Sequence, residues 1–216
     1  MRKFKDKKNI IERLQAGETI SIELGCGKSK INSEAIGIDL LDYECVDLVG
    51  DIFHVLEAFP DGSVESIYST HFLEHVNASD FELIFSEMSR ILRPEGKIKI
   101  IVPRFSNPYY YLDPTHRTPF GLYTLSYICH EEIFKRKVPQ YTSKLPLLLS
   151  SVKMVFAPFY SYQFFRLIFK KIFGKIINSS MFAREFYEEN LCWMIPCYEL
   201  HFSLIKSPGV FASNDD

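Results

Sequence analysis

Ser21-Ile22-Glu23-Leu24-Gly25-Cys26-Gly27-Lys28-Ser29 reads as an apolar strand that runs into Gly-x-Gly. Glycines at a strand's end let backbone approach a ligand that a side chain would keep away. A dinucleotide fingerprint would add a third glycine at position 30, where this chain has Lys30, so a pyrophosphate site is disfavoured. Gly-x-Gly alone is also an ordinary strand-to-loop turn, and its meaning comes from the order of the motifs downstream of it in the chain. Gly37-Ile38-Asp39 closes a second apolar run with a carboxylate placed to accept hydrogen bonds from ribose hydroxyls. Asp47-Leu48-Val49-Gly50-Asp51-Ile52 closes a third run with Asp51, suited to accept from an adenine amino group, and with Ile52 placed against the ring.

Working outward, short apolar runs at 19–24, 35–40, 46–49, 64–69 and 97–102 alternate with turn signals and predict an α/β sheet. Phe81, Ile84, Phe85, Met88, Ile91 and Leu92 recur at helical spacing, so 79–92 is predicted as the helix joining the fourth and fifth strands. Arg93-Pro94-Glu95-Gly96 then reads as a helix stop and a turn. Ser69-Thr70-His71-Phe72-Leu73-Glu74-His75 follows the fourth strand, and Tyr198, Leu200, Phe202 and Leu204 alternate in a last half-buried strand.

This order of motifs, over roughly residues 20–103, resembles the class I S-adenosylmethionine-dependent methyltransferases, in particular the small type 11-like group with Leu-Glu-His after strand four. The resemblance implies a Rossmann-like methyltransferase sheet, mostly parallel with a C-terminal antiparallel strand. It implies S-adenosylmethionine as cofactor, with Glu23, Gly25, Cys26 and Gly27 lining its methionine part. Asp39 would hold ribose, Asp51 and Ile52 the adenine, and His71 would lie near the methionine end. Only residues 28–34 separate Gly27 from Ala35, whereas a parallel crossover usually takes a dozen or more, so the first crossover helix is expected to shrink to about a turn.

Asp113-Pro114-Thr115-His116-Arg117 comes after strand five, on the side where the carboxyl ends of parallel strands open onto ligand. Methyl transfer to a hydroxyl needs the acceptor aligned and its proton removed. His116 is the candidate base, since imidazoles ordinarily titrate near ~6.5. Asp113 would orient it, and Arg117 and Tyr110 would hold the acceptor. A Pro-braced loop whose His and Asp bind backbone explains the same residues. The Asn-Pro-Pro-Tyr type of motif of amino-directed nucleic-acid methyltransferases is replaced by Ser69-Thr70-His71-Phe72. The expected reaction is therefore O-methylation of a small molecule or glycan. The alternatives are a membrane-associated methyltransferase of a lipid or lipid-linked sugar, and a non-catalytic nucleoside-binding protein.

The chain has 216 residues, 19 Phe and 12 Tyr, and a net charge of -2. That length suits a single domain over 1–216, and the near-neutral charge gives no reason to expect nucleic-acid binding. The balance conceals a split, because 133–184 holds ten basic residues, no acidic ones and eight of the 19 Phe. Residues 104–184 therefore read as an aromatic, basic insertion or lid. Within 159–177, Phe165, Ile168, Phe169, Ile172, Phe173 and Ile176 share one helical face, and Arg166, Lys170, Lys171 and Lys175 fill the rest. Such a helix can lie on an anionic membrane. The favoured expectation is a lid that packs its Phe/Ile face inward and leaves lysines in water, because Leu167 and Ile177 interrupt the polar face.

Five scattered cysteines without Cys-x-x-Cys spacing suggest a reduced, cytoplasmic protein. Cys192, Cys197 and His201 lack an obvious fourth zinc ligand, and no spacing among Asp113, His116 and His71 demands an ion, so no metal is expected. The basic start, Met1 to Lys8, precedes no apolar run of signal-peptide kind, and no stretch reaches the ~18 apolar residues of a membrane span.

Overall fold

The computed structural model describes residues 4–156 and 164–207. The elements run β1 (Lys5–Asp6), α1 (Ile10–Gln15), β2 (Ile20–Leu24), β3 (Ile36–Asp39), β4 (Leu48–Val49), α2 (Ile52–Glu57), β5 (Val64–Thr70), α3 (Phe81–Ile91), β6 (Leu92–Pro103), β7 (Cys129–His130), β8 (Leu145–Val155), α4 (Phe164–Ile177), α5 (Met181–Asn190) and β9 (Glu199–Lys206). They build one sheet in the order β1-β4-β3-β2-β5-β6-β9-β8-β7. β4, β3, β2, β5 and β6 are mutually parallel, while β9 runs antiparallel to β6 and β8 on either side of it. The Rossmann-like sheet with an antiparallel final strand is therefore present, and the strand order reverses between β2 and β5. That reversal opens a crevice above their carboxyl ends.

Alternation explains the last strands. Ile98, Ile100, Val102, Leu200, Phe202 and Leu204 are buried on the face covered by α3, while Lys97 and Lys99 on the other face are exposed. β6 begins earlier than the sequence suggests, at Leu92 rather than Lys97. Arg93 to Gly96 form an irregularity in its pairing with β5 instead of a free turn. The crossover between β2 and β3 contains no helix at all, in place of the single turn expected from its length. Its backbone is held by a side chain instead: both Glu23 carboxylate oxygens accept from Ile31 N–H at 2.9–3.0 Å, and one also accepts from Asn32 N–H at 3.2 Å.

The 104–184 region contributes β8 to the sheet. It also contains α4, whose orientation corrects the expected lid. Lys170 is only 7 % exposed, with its ammonium 4.2 Å from the Tyr198 ring centroid, whereas Phe169 and Ile172 are each 55 % exposed and Ile176 58 %. Ile177 is buried, with Leu167, Phe173 and Gly174 half-buried, and these residues together with Lys170 share one stripe at helical spacing. A Cβ on Gly174 would come within 3.3 Å of Phe156, so that stripe is where the backbone approaches the domain. The two residues that interrupt the polar face, Leu167 and Ile177, are thus part of the inward face. The start of the segment read as 159–177 lies outside the described residues up to position 163.

Candidate active site

The end of β2 turns through two left-handed residues, Gly25 (φ 62°) and Gly27 (φ 56°), a conformation that disfavours residues with a Cβ. At Gly25 the space is also closed, since a Cβ would lie 2.5 Å from the Phe72 ring. The turn after β5 therefore packs directly onto the Gly-x-Gly loop. Nothing lies within 4 Å of a Cβ built on Gly27, so this part of the loop faces open space. Asp39, at the carboxyl end of β3, accepts from Gly27 N–H at 2.8 Å through one oxygen and from Leu41 N–H at 2.9 Å through the other. Each oxygen keeps a further lone pair. Asp51 caps α2, accepting from Phe53 N–H at 3.0 Å, and Ile52 is half-buried beside it. Cys26 is buried, and burial pushes its thiol up to about 12, which makes it inert packing. An open glycine backbone with carboxylates on neighbouring strand ends fits an adenosine cofactor. Glu23 spends its carboxylate on the crossover loop.

Beyond β5 the chain makes a tight turn, Leu73–His75, preceded by His71 in a left-handed conformation (φ 51°). His71 sits between two acids, with Nε2 3.3 Å from Glu199 Oε1 and Nδ1 3.5 Å from Glu74 Oε1. Hydrogen bonding to Glu199 and then to Glu74 raises His71 to about 9. Glu199, which also pairs with His201 at 2.9 Å, is pulled down to about 2 by His201 and His71. His71 thus holds its proton between two carboxylates at the carboxyl end of β5.

The Asp113–Arg117 loop docks on that turn. Glu74 C=O accepts from Arg117 N–H at 2.7 Å and Thr118 N–H at 3.0 Å, and Thr118 Oγ1 donates to Val76 C=O at 2.7 Å. The rings of His75 and His116 come within 5.0 Å of each other, and Tyr110 lies 4.7 Å from His116. His116 Nδ1 is 2.8 Å from Tyr110 C=O. A carbonyl only accepts, so Nδ1 carries a proton, and in the neutral ring Nε2 holds the lone pair. Tyr110 is thus the residue that orients His116, and it is itself buried. Asp113 Oδ2 stands 3.7 Å from Nε2, while its Oδ1 binds Thr115 N–H and Oγ1 at 2.8 and 2.6 Å. Arg117 is exposed. The residues that sequence reasoning did not single out are Phe72, Glu74, His75, Thr115 and Glu199. Of these, Glu74 and His75 were signalled by the Leu-Glu-His triplet itself.

A cleft of about 1010 Å³ lined by Glu65, Arg93, Lys97 and Lys206 lies at the opposite, amino-terminal ends of β5 and β6, away from all of these groups. Residues 22–100 match the family model described as a methyltransferase domain. Over this stretch, from β2 into β6, the chain is similar to a methyltransferase domain. Among solved structures, an S-adenosylmethionine-dependent methyltransferase from Archaeoglobus fulgidus shares the fold, with TM-score 0.51 and 15% identity over 93% of this chain and 95% of that one. A phosphoethanolamine N-methyltransferase from Haemonchus contortus, solved in complex with S-adenosyl-L-methionine, aligns with TM-score 0.47 and 13% identity over 93% of this chain and 53% of that one. This chain thus spans about half of that enzyme's length. No curated protein matches the sequence. No helix among the described residues is long and apolar enough to cross a membrane.

Proposed function

We propose that the chain is an S-adenosylmethionine-dependent methyltransferase that acts on a hydroxyl of a small molecule or glycan held over the carboxyl ends of β2, β5 and β6. The observation that carries this reading is the docking of the Asp113–Arg117 loop on the Leu-Glu-His turn, which brings an oriented imidazole lone pair to the edge of the crevice. S-adenosylmethionine supplies a sulfonium-bound methyl group. Asp39 accepts from the ribose hydroxyls, Asp51 and Ile52 meet the adenine, and the Gly25–Gly27 backbone and His71 lie along the methionine part. His116 Nε2 takes the proton of the acceptor hydroxyl, and the exposed Arg117 guanidinium holds an anionic group of the acceptor. General bases contribute ~10²–10⁴-fold, so His116→Gln is expected to slow transfer at least ~100-fold. Affinity for S-adenosylhomocysteine, read by calorimetry, should stay unchanged. An undiminished rate removes His116 from the chemistry.

The outward face of α4 favours a second reading, in which the acceptor is a lipid or lipid-linked sugar at an anionic membrane. Ile168, Phe169, Ile172 and Ile176 are exposed, with exposed Lys171 and Lys175 beside them, the arrangement of an interfacial helix. Each lysine near such a surface contributes about 1 kcal/mol. Neutralising two of them by Lys171→Gln with Lys175→Gln should weaken sedimentation with phosphatidylserine vesicles by roughly 30-fold, and salt should weaken the wild type. Wild-type protein that stays in the supernatant with these vesicles at low salt rules this reading out.

A further inference from the structure

Glu74 is 1 % exposed, and its Oε2 is buried without any hydrogen-bond partner. Leaving a charged oxygen unsatisfied inside a protein is costly, so such an atom marks a place where a cation or donor belongs. Besides His71, whose Nδ1 is 3.5 Å from Glu74 Oε1, two more imidazoles stand near this carboxylate. One ligating atom from each of Glu74, His75 and His116 lies within 4.8 Å of the others.

The tautomers of both rings suit metal binding. Thr115 Oγ1 donates its only hydrogen to Asp113 Oδ1 at 2.6 Å, so in its 2.9 Å contact with His75 it accepts, and His75 Nδ1 is the donor. His116 Nδ1 likewise donates to Tyr110 C=O at 2.8 Å. Each ring has its Nδ1–H anchored by an oxygen, so in the neutral ring Nε2 carries a lone pair of fixed direction. This is the outer-shell arrangement that orients histidine ligands in metal sites. We propose that Glu74, His75 and His116 bind a divalent transition-metal cation, for which Zn²⁺ is the probe.

The donor set supports that class. Two neutral imidazoles and one carboxylate suit zinc or ferrous iron, whereas calcium and magnesium prefer all-oxygen sites. Tetrahedral bonds of ~2 Å place ligands roughly 3.3 Å apart, so no pair has to close by more than about 1.5 Å on binding. Asp113 Oδ2, 3.7 Å from His116 Nε2, is near enough to add a fourth ligand or to bind a metal-held water. With only three ligands from the cluster, a position stays open for an oxygen of the acceptor. This last part rests on the proposed transfer to a hydroxyl: in the loaded state the His116 lone pair belongs to the cation, the cation acidifies the bound hydroxyl, and the hydroxyl's proton passes to bulk water beside the exposed Asp113.

The binding part is tested without cofactor or acceptor, so its failure and that of the transfer reading are separable. Chelator-treated protein is titrated with Zn²⁺ by calorimetry, with metal content read by mass spectrometry and thermal midpoint by circular dichroism. Wild type should take one equivalent and become more stable. His75→Gln and His116→Gln, both at half-buried positions, should bind more than about 100-fold more weakly at an unchanged apo midpoint. His54→Gln, on α2, should match wild type. Glu74→Gln should also lose binding, and the two histidine variants keep the test decisive if it does not fold. Wild type that takes up no stoichiometric zinc, or histidine variants that bind as tightly as wild type, would overturn the proposal.

Discussion

Arg104→Met is expected to lower the free energy of unfolding by about 3–5 kcal/mol, most of the stability of a typical domain. Arg104 follows β6 with its side chain at 0 % exposure. One terminal nitrogen donates to Glu188 Oε2 and the other to Ser106 Oγ, and the guanidinium lies 4.1 Å from the Phe105 ring centroid and 5.3 Å from that of Tyr187. Glu188 in turn accepts from Leu122 N–H at 3.2 Å. A single ion pair thus ties together the exit of β6, the 121–122 backbone and α5. Removing the cation leaves the Glu188 carboxylate, 12 % exposed, without its charge partner. The loss therefore exceeds what the pair contributes over an apolar substitute, because buried pairs repay little more than their desolvation. Arg104→Met with Glu188→Met should recover much of the deficit. Urea midpoints of the two singles and the double complete the cycle. A single-mutant loss below about 1 kcal/mol would show that water reaches Glu188 and that the staple is not buried in solution.

The parts of the fold that could be read from sequence are those whose burial has one period. β2 and β3 are short apolar runs between turn residues, and α3 keeps Ile84, Phe85, Met88 and Ile91 on one face throughout. β8 was not legible although it pairs along most of β9. Leu147 and Leu149 alternate, then the register shifts between Leu149 and Ser151, and Val152 and Met154 continue in the opposite phase. A bulge of this kind erases the two-residue period that identifies a strand. α4 was legible as a helix but not in its orientation. The Phe/Ile stripe is the more apolar face, yet the inward stripe includes Lys170, because the Tyr198 ring, brought there by the chain before β9, accommodates an ammonium that burial has pushed down to about 8. The site divides in the same way. Gly25, Gly27, Asp39 and Asp51 are local to strand ends. His71 pairs not only with Glu74 three residues on but with Glu199 on β9, which the antiparallel pairing of β6 and β9 brings to it.

Asp39→Ala is expected to weaken binding of S-adenosylhomocysteine by about 3 kcal/mol, or two orders of magnitude. Two effects combine. With ribose seated as proposed, the carboxylate loses its charge-assisted hydrogen bonds from both ribose hydroxyls. It also releases the Gly27 N–H that it holds at 2.8 Å, and with it the left-handed loop that runs along the methionine part. Asp39→Asn separates these effects. Its amide oxygen can still accept from Gly27 or from one hydroxyl, so roughly a tenfold loss is expected. Asp42→Ala serves as control, because that exposed carboxylate, on the β3–β4 connection rather than the Gly27 loop, pairs with Lys5 and Lys7. Calorimetry on the three variants, with circular dichroism to confirm the fold, reads the order Ala, Asn, control. If Asp39→Ala binds the ligand as wild type does, the ribose lies elsewhere and the open face of Gly27 is not the cofactor's cradle.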